Sequence, residues 1–117
     1  STIPQLIQKG RELANSLGLA FCAYGHLGDG NLHCNWLCQS LEEITIGQAA
    51  RRTLLQHAVS LGGSLSGEHG IGLHKRDLLS IEQSQEVIEL QKSLKAVFDP
   101  HDIMNPGKVF PRSAAVE

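Results

Sequence analysis

Two glycine-rich stretches concentrate the side chains able to hold a cation or move a proton. They are Gly25-His26-Leu27-Gly28-Asp29-Gly30-Asn31-Leu32-His33 and Ser64-Leu65-Ser66-Gly67-Glu68-His69-Gly70-Ile71-Gly72. In the first, Asp29-Gly30 is a favoured pair for a two-residue type I′ hairpin turn. That turn would set Gly28 opposite Asn31, Leu27 opposite Leu32 and His26 opposite His33. Cross-strand partners have Cβ atoms ~4.5–5.5 Å apart, and two imidazoles so placed can both reach one ion at about 2.0–2.1 Å. Period-two alternation adds Tyr24, Asn31 and Asn35 to the histidine face. Leu32, Cys34 and Trp36, with Phe21, Ala23 and Gly25, fall on the other face, which is suited to packing. A longer loop would slip this register and part the rings, and two facing histidines can also simply hydrogen-bond to neighbours.

The second stretch sets an acid beside a histidine among glycines, which let the backbone bend and a ligand come close. In extended chain Glu68 and His69 point to opposite sides. Glu68 could join His26 and His33 as a third metal ligand, leaving coordination positions open as catalytic sites do. His69 could then act as a general base, since imidazole exchanges protons near neutral pH. A plain structural loop, with both side chains solvated, is the competing reading. The order Gly67-x-x-Gly70-x-Gly72 is not G-x-G-x-x-G, and no P-loop lysine pattern occurs, so a nucleotide-phosphate cradle is poorly supported. His57 reads as core or boundary material within a helix, and His74 and His101 as exposed.

These stretches need elements to position them. Thr2-Ile3-Pro4-Gln5 reads as a capping box with proline in the first turn. Ile3, Leu6, Ile7, Leu13, Ala14 and Leu17 then recur at helical spacing, and Gly18 suits the C-terminal cap. Phe21 to His26 and Asn31 to Cys38 read as strands. Ser40 with Glu43 opens a second helix whose inward stripe is Ile46, Ala50, Leu54, Ala58 and Leu61, stopped by Gly62-Gly63. Five glycines between Gly62 and Gly72 exclude a helix there. A third helix is expected from about Ser84 to Val97, with Val87, Ile88, Leu90, Leu94 and Val97 apolar, ended by Phe98-Asp99-Pro100. The tail from Arg112 is expected to fray.

The chain has 117 residues, 41% hydrophobic and 19% charged, with only 4% aromatic. It therefore reads as one small α+β unit whose core rests on aliphatic side chains. The net charge of −2 argues against a phosphate-tracking nucleic-acid binder. No apolar run approaches the ~20 residues of a membrane helix, and no signal-peptide pattern opens the chain. Cys22, Cys34 and Cys38 form no CxxC pair and read as buried free thiols in a reducing compartment, the cytoplasm.

The two stretches, together with Phe98-Asp99-Pro100 and Ile103-Met104-Asn105-Pro106-Gly107-Lys108, resemble the C-terminal domain of FAD-linked oxidases. That group includes a component of glycolate oxidase, the D-lactate dehydrogenases and D-2-hydroxyglutarate dehydrogenase. The resemblance runs from about Leu19 to Phe110 and rests on three ordered motifs. It implies the C-terminal portion of a ferredoxin-like cap domain, a small antiparallel sheet with packed helices, for residues 1–117. It implies a partner in a separate FAD-binding domain and a small 2-hydroxyacid substrate. By the same resemblance His26, His33 and Glu68 are divalent-metal ligands, with zinc the expected ion. His69 is the base for the substrate hydroxyl, Asn35 contacts substrate, and Asn105 approaches the flavin. Lys75, the first cation after the motif, could contribute to substrate binding, though a solvated lysine is the plainer reading. The chain on its own is expected to fold but not to turn over substrate. A homodimer is possible, since a domain of this kind leaves strand edges and apolar surface to pair. Two other functions fit the residues: a non-catalytic metal-binding or interaction module, and a metal-dependent hydrolase.

Overall fold

The computed structural model describes residues 2–110. They form two compact units, one ending at Glu68 and the other beginning at His69. The first holds helix α1 (Ile3–Leu17), strand β1 (Ala20–Tyr24), strand β2 (His33–Leu37) and helix α2 (Leu41–Ser60). The second holds a 3-10 turn, Arg76–Ile81, which the sequence pattern does not announce, and helix α3 (Gln85–Phe98). The α+β class is as expected: a small antiparallel sheet with packed helices. Among the described residues no helix is long and apolar enough to cross a membrane. The expectation for the tail from Arg112 lies outside the described residues.

In the first unit α1 packs against both strands and against α2. Pro4 falls in its first turn, but Thr2 makes no side-chain cap, so the capping box expected there does not form. Thr2 has helical φ and ψ (−88°, −6°), which turn its hydroxyl from the first free N–H groups. At the other end Gly18 takes φ 68°, and the Leu19 N–H closes onto the Ala14 carbonyl at 3.0 Å. The cap of α2 does form, with Ser40 Oγ accepting from the Glu43 N–H at 3.1 Å. Glu43 reaches back, but to the Gln39 N–H at 2.6 Å. The core combines Ala14, Leu19, Ala50, Leu54 and Leu65, and each buried leucine contributes about 1.5–3 kcal/mol. Phe21 and Trp36 face each other across the strands, ring centroids 5.6 Å apart. They lie on the packing side of the hairpin, as the alternation requires.

In the second unit Ser84 Oγ caps α3 by accepting from the Val87 N–H at 3.4 Å. Leu79 and Ile88 are its fully buried side chains. Val87, Leu90, Leu94 and Val97 recur at the three-and-four spacing of one helix face and stay exposed. Ile88, one residue round the helix, is the one buried residue of α3. The three cysteines are free, as expected, but Cys22 is exposed rather than buried, because it lies on the open face of the hairpin.

Candidate metal site

The hairpin is wider than its Asp29-Gly30 pair predicts. Tyr24 faces His33, Cys22 faces Asn35 and Ala20 faces Leu37, so the ladder ends before His26 is reached. A type I′ turn needs positive φ at both loop residues, and only Gly30 supplies it, at 73°. Leu27–Asp29 instead coil into a 3-10 turn, and the His26 carbonyl accepts from the N–H groups of Asp29 and Asn31 at 3.0 and 3.1 Å. His26 is therefore not the cross-strand partner of His33. The register differs by two residues from the expected one, which preserves the faces because side chains alternate with period two. Tyr24, His33 and Asn35 share the open face, while Phe21, Ala23, Cys34 and Trp36 share the packing face.

What joins the histidines is Glu68, the last residue of the first unit. Its Oε1 lies 3.0 Å from His33 Nε2, and its Oε2 lies 3.9 Å from His26 Nε2. One carboxylate thus meets two imidazoles, one on each oxygen. Two glycines make this approach possible. Gly25 takes φ 150°, and a Cβ there would stand 2.5 Å from the Asn31 carbonyl oxygen. A Cβ on Gly67 would stand 2.6 Å from Asn31 Cγ, and nearer still to its amide oxygen. Asn31 is thus wedged against the residue that precedes Glu68. Neither this wedge nor the contact of the Tyr24 ring with His33, at 5.2 Å between centroids, is expected from the sequence pattern. The first could be suspected only from two glycines far apart in sequence, and the second follows from the true register.

The His33 and Glu68 donors lie close enough to share a divalent cation, whereas His26 reaches only the second carboxylate oxygen. In a tetrahedral zinc site with bonds near 2.1 Å, neighbouring ligand atoms stand roughly 3.4 Å apart. The His33–Glu68 separation of 3.0 Å is close to that edge, while His26 stands 3.9 Å from the other oxygen of the same carboxylate. Two imidazole nitrogens with a carboxylate oxygen are a familiar donor set for zinc and similar ions. The His26 side chain is 65% exposed and that of Glu68 42%, so the site has room for further ligands rather than being closed. A nitrogen and oxygen set on an open surface can polarise a bound oxygen.

Of the other candidates, Asn35 stands two residues along β2 from His33 on the same face and is exposed. His69 follows Glu68 in the chain and begins the second unit. Lys75 and Asn105 also belong to that unit. Lys75 precedes the 3-10 turn, and its N–H donates to the Ile71 carbonyl at 3.2 Å. Asn105 takes a left-handed conformation, φ 50°, in a segment that also contains Asp102 at 49° and Val109 at 68°. Non-glycine residues rarely adopt such angles, and they gather where surrounding contacts impose them.

Those contacts are specific. Asp99, buried at the end of α3, accepts from the N–H groups of Ile103 and Met104, both at 3.0 Å, and from Lys95 Nζ at 2.6 Å. The Lys95 ammonium beside it holds the Asp99 carboxyl below the usual carboxylate range, aided by the two backbone donors and opposed by burial. Asp102 and then Asp99 in turn raise the Lys95 pKa. Beyond the knot, Arg76 Nη1 donates to the Gly107 carbonyl and the Val109 N–H to the Gly72 carbonyl, each at 2.8 Å. His57 is half-buried in α2, and His74 and His101 are exposed, as the sequence suggested.

The family described as FAD linked oxidases, C-terminal domain, matches residues 1–109, which extends the likeness through α1. The chain is 36% identical over 116 residues to glycolate oxidase subunit GlcD of Bacillus subtilis, covering 97% of this chain and 25% of that protein. It is 44% identical over 107 residues to D-lactate dehydrogenase of Archaeoglobus fulgidus, covering 92% of this chain and 24% of that protein. It is also 44% identical over 91 residues to D-2-hydroxyglutarate dehydrogenase of Stutzerimonas stutzeri, covering 74% and 20%. The chain thus spans a quarter or less of the length of these relatives. With a family match over nearly its whole length and relatives at this level of identity, the chain belongs to the family of FAD linked oxidases, C-terminal domain.

Proposed function

We propose that this chain supplies the metal-binding, substrate-side part of an FAD-dependent 2-hydroxyacid dehydrogenase of the glycolate, D-lactate or D-2-hydroxyglutarate type. The observation that carries the reading is the Glu68 carboxylate meeting His33 with one oxygen and His26 with the other. His26, His33 and Glu68 hold the cation, zinc by preference for this donor set. A cation there supplies polarisation of the substrate hydroxyl, and the flavin of a partner FAD-binding domain supplies the hydride acceptor. Asn35, on the same hairpin face as His33, donates its amide N–H groups to the substrate carboxylate, and Lys75 adds positive charge for it. His69 takes the hydroxyl proton onto a ring nitrogen. Asn105, held in its strained loop, faces the flavin. The three free thiols suit a reducing compartment, and we place the protein in the cytoplasm.

The test combines metal binding with reconstitution. Calorimetric titration of the metal-free chain with zinc should show one site, lost in His33→Ala and in Glu68→Ala. The chain mixed with a separately produced FAD-binding domain should reduce a dye with glycolate, D-lactate or D-2-hydroxyglutarate, while either part alone should not. Stoichiometric metal binding without any reconstituted turnover would favour a non-catalytic module. Metal-dependent ester or amide cleavage without flavin would favour a hydrolase.

A further inference from the structure

The Tyr24 ring has no evident reason to be where it is. It closes β1 on the open face of the hairpin, 59% exposed, where an aromatic side chain gains little from burial. Its cross-strand partner is His33. The two rings lie with centroids 5.2 Å apart and planes inclined by 32°, in the range of offset aromatic pairs. Immediately after Tyr24 the backbone turns away at Gly25, whose φ of 150° and close approach to Asn31 fix where the strand ends. The tyrosine is thus anchored at its backbone by the last rung of the ladder and meets His33 through its ring.

We infer that Tyr24 is a positioning residue for the metal site: its ring fixes the rotation of the His33 imidazole so that Nε2 faces Glu68. This rests on the metal-site reading above and assigns to it a residue that contributes no ligand atom. A histidine in a strand holds its first side-chain torsion in one of a few wells, but the second, which turns the ring, is broad. His33 Nε2 must point at Glu68 to keep the 3.0 Å contact. A flat ring laid beside the imidazole restricts that second torsion. Groups that orient a metal-binding histidine commonly change affinity by about 10–100-fold when removed. A ring contact that constrains one torsion without a hydrogen bond belongs at the low end of that range. The phenol oxygen is not needed for this role, so phenylalanine should serve as well.

The experiment uses the whole chain, with zinc as the probe in calorimetry and cobalt(II) as a spectroscopic substitute. Tyr24→Phe should bind zinc as the parent does. Tyr24→Leu keeps an apolar strand residue but loses the ring, and should bind about tenfold more weakly. Its metal-free melting temperature should stay close to the parent's, because the tyrosine is mostly exposed. The cobalt(II) absorption of the leucine variant should broaden and weaken, while that of the phenylalanine variant should match the parent. Imidazole nitrogen NMR on the metal-free proteins gives a readout independent of the ion, and the His33 resonances should shift in the leucine variant alone. If the parent binds and the leucine variant binds equally with an unchanged cobalt spectrum, the positioning role is wrong while the metal site stands. If the phenylalanine variant loses as much as the leucine variant, the hydroxyl rather than the ring acts, and the inference is overturned. If the parent binds neither metal, the metal-site reading fails and this inference falls with it.

Discussion

Replacing Gly67 by alanine should cripple the metal site without touching a ligand. The new methyl would lie 2.6 Å from Asn31 Cγ, and ordinary contact begins at 3.4 Å. Asn31 Cγ must therefore move off by about 0.8 Å, and its amide oxygen, which lies nearer still, by more, since repulsion rises steeply inside contact distance. Metal–ligand bonds tolerate only about ±0.2 Å, and Glu68 is bonded directly to the residue being pushed. The φ of Gly67 is not left-handed, so alanine is acceptable there apart from this collision. Zinc affinity should fall by about 10–100-fold, or about 1.4–2.7 kcal/mol, the loss typical of displacing a group that supports a ligand. Calorimetric titration measures it, alongside a metal-free thermal melt to show that the fold survives. The double variant Gly67→Ala with Asn31→Ala removes the obstacle and should recover most of the affinity. Unchanged binding in Gly67→Ala would mean that Asn31 swings aside freely and that the wedge has no role. Failure of the double variant to recover would mean that the loss came from somewhere other than this contact.

Other consequences can be checked in the same way. Gly10→Ala should gain about 0.5–1 kcal/mol of helix propensity, yet its methyl would meet the Phe21 ring at 2.7 Å from Cε2. Overpacking costs about 1–3 kcal/mol, so the net change in urea unfolding should be destabilising, and Phe21→Leu in the same background should reverse it. Asp99 has a depressed pKa, because Lys95 and two backbone N–H groups favour its charged form. The stabilisation it gives is therefore full above the unfolded carboxylate pKa, about 3.9, and is lost as pH falls through the lower folded value. Amide protection at Ile103 and Met104 should decline over that acid range, and Asp99→Asn should show the loss already at neutral pH. Burial pushes the Cys34 thiol up to about 11, whereas Cys22 is exposed. Iodoacetamide at pH 8 should thus modify Cys22 well before Cys34, as peptide mass mapping would show.

Much of the fold could be read from local pattern. Proline in the first turn and Gly18 at the end bound α1, and Ser40 with Glu43 marks the start of α2, because these signals act within a few residues. The hairpin shows where such reading stops. Asp29-Gly30 is a strong local turn signal, but the chain spends eight residues, 25–32, on the connection, since the His26 carbonyl gathers two N–H groups and coils Leu27–Asp29. The faces are preserved only because the register differs by an even number. The meeting of Glu68 with the histidines depends on the close approach of Gly67 to Asn31, across 36 residues of sequence, which no periodicity encodes. At Thr2 the capping motif says which hydroxyl is available, but not the backbone angles the residue will take.

One hydrogen bond in the second unit gives that unit a property of its own. The Val109 N–H meets the Gly72 carbonyl at 2.8 Å, so a stretch near the start of the unit is tied to one near its last described residue, like the two ends of a drawstring. His69 lies just before this neck and Asn105 just before its return, with Arg76 clasping Gly107 between them. A segment whose ends meet can be lengthened internally, in the stretch between the 3-10 turn and α3, while its two ends stay in place. Variation among relatives in that stretch would therefore leave the neck, and the two residues beside it, undisturbed.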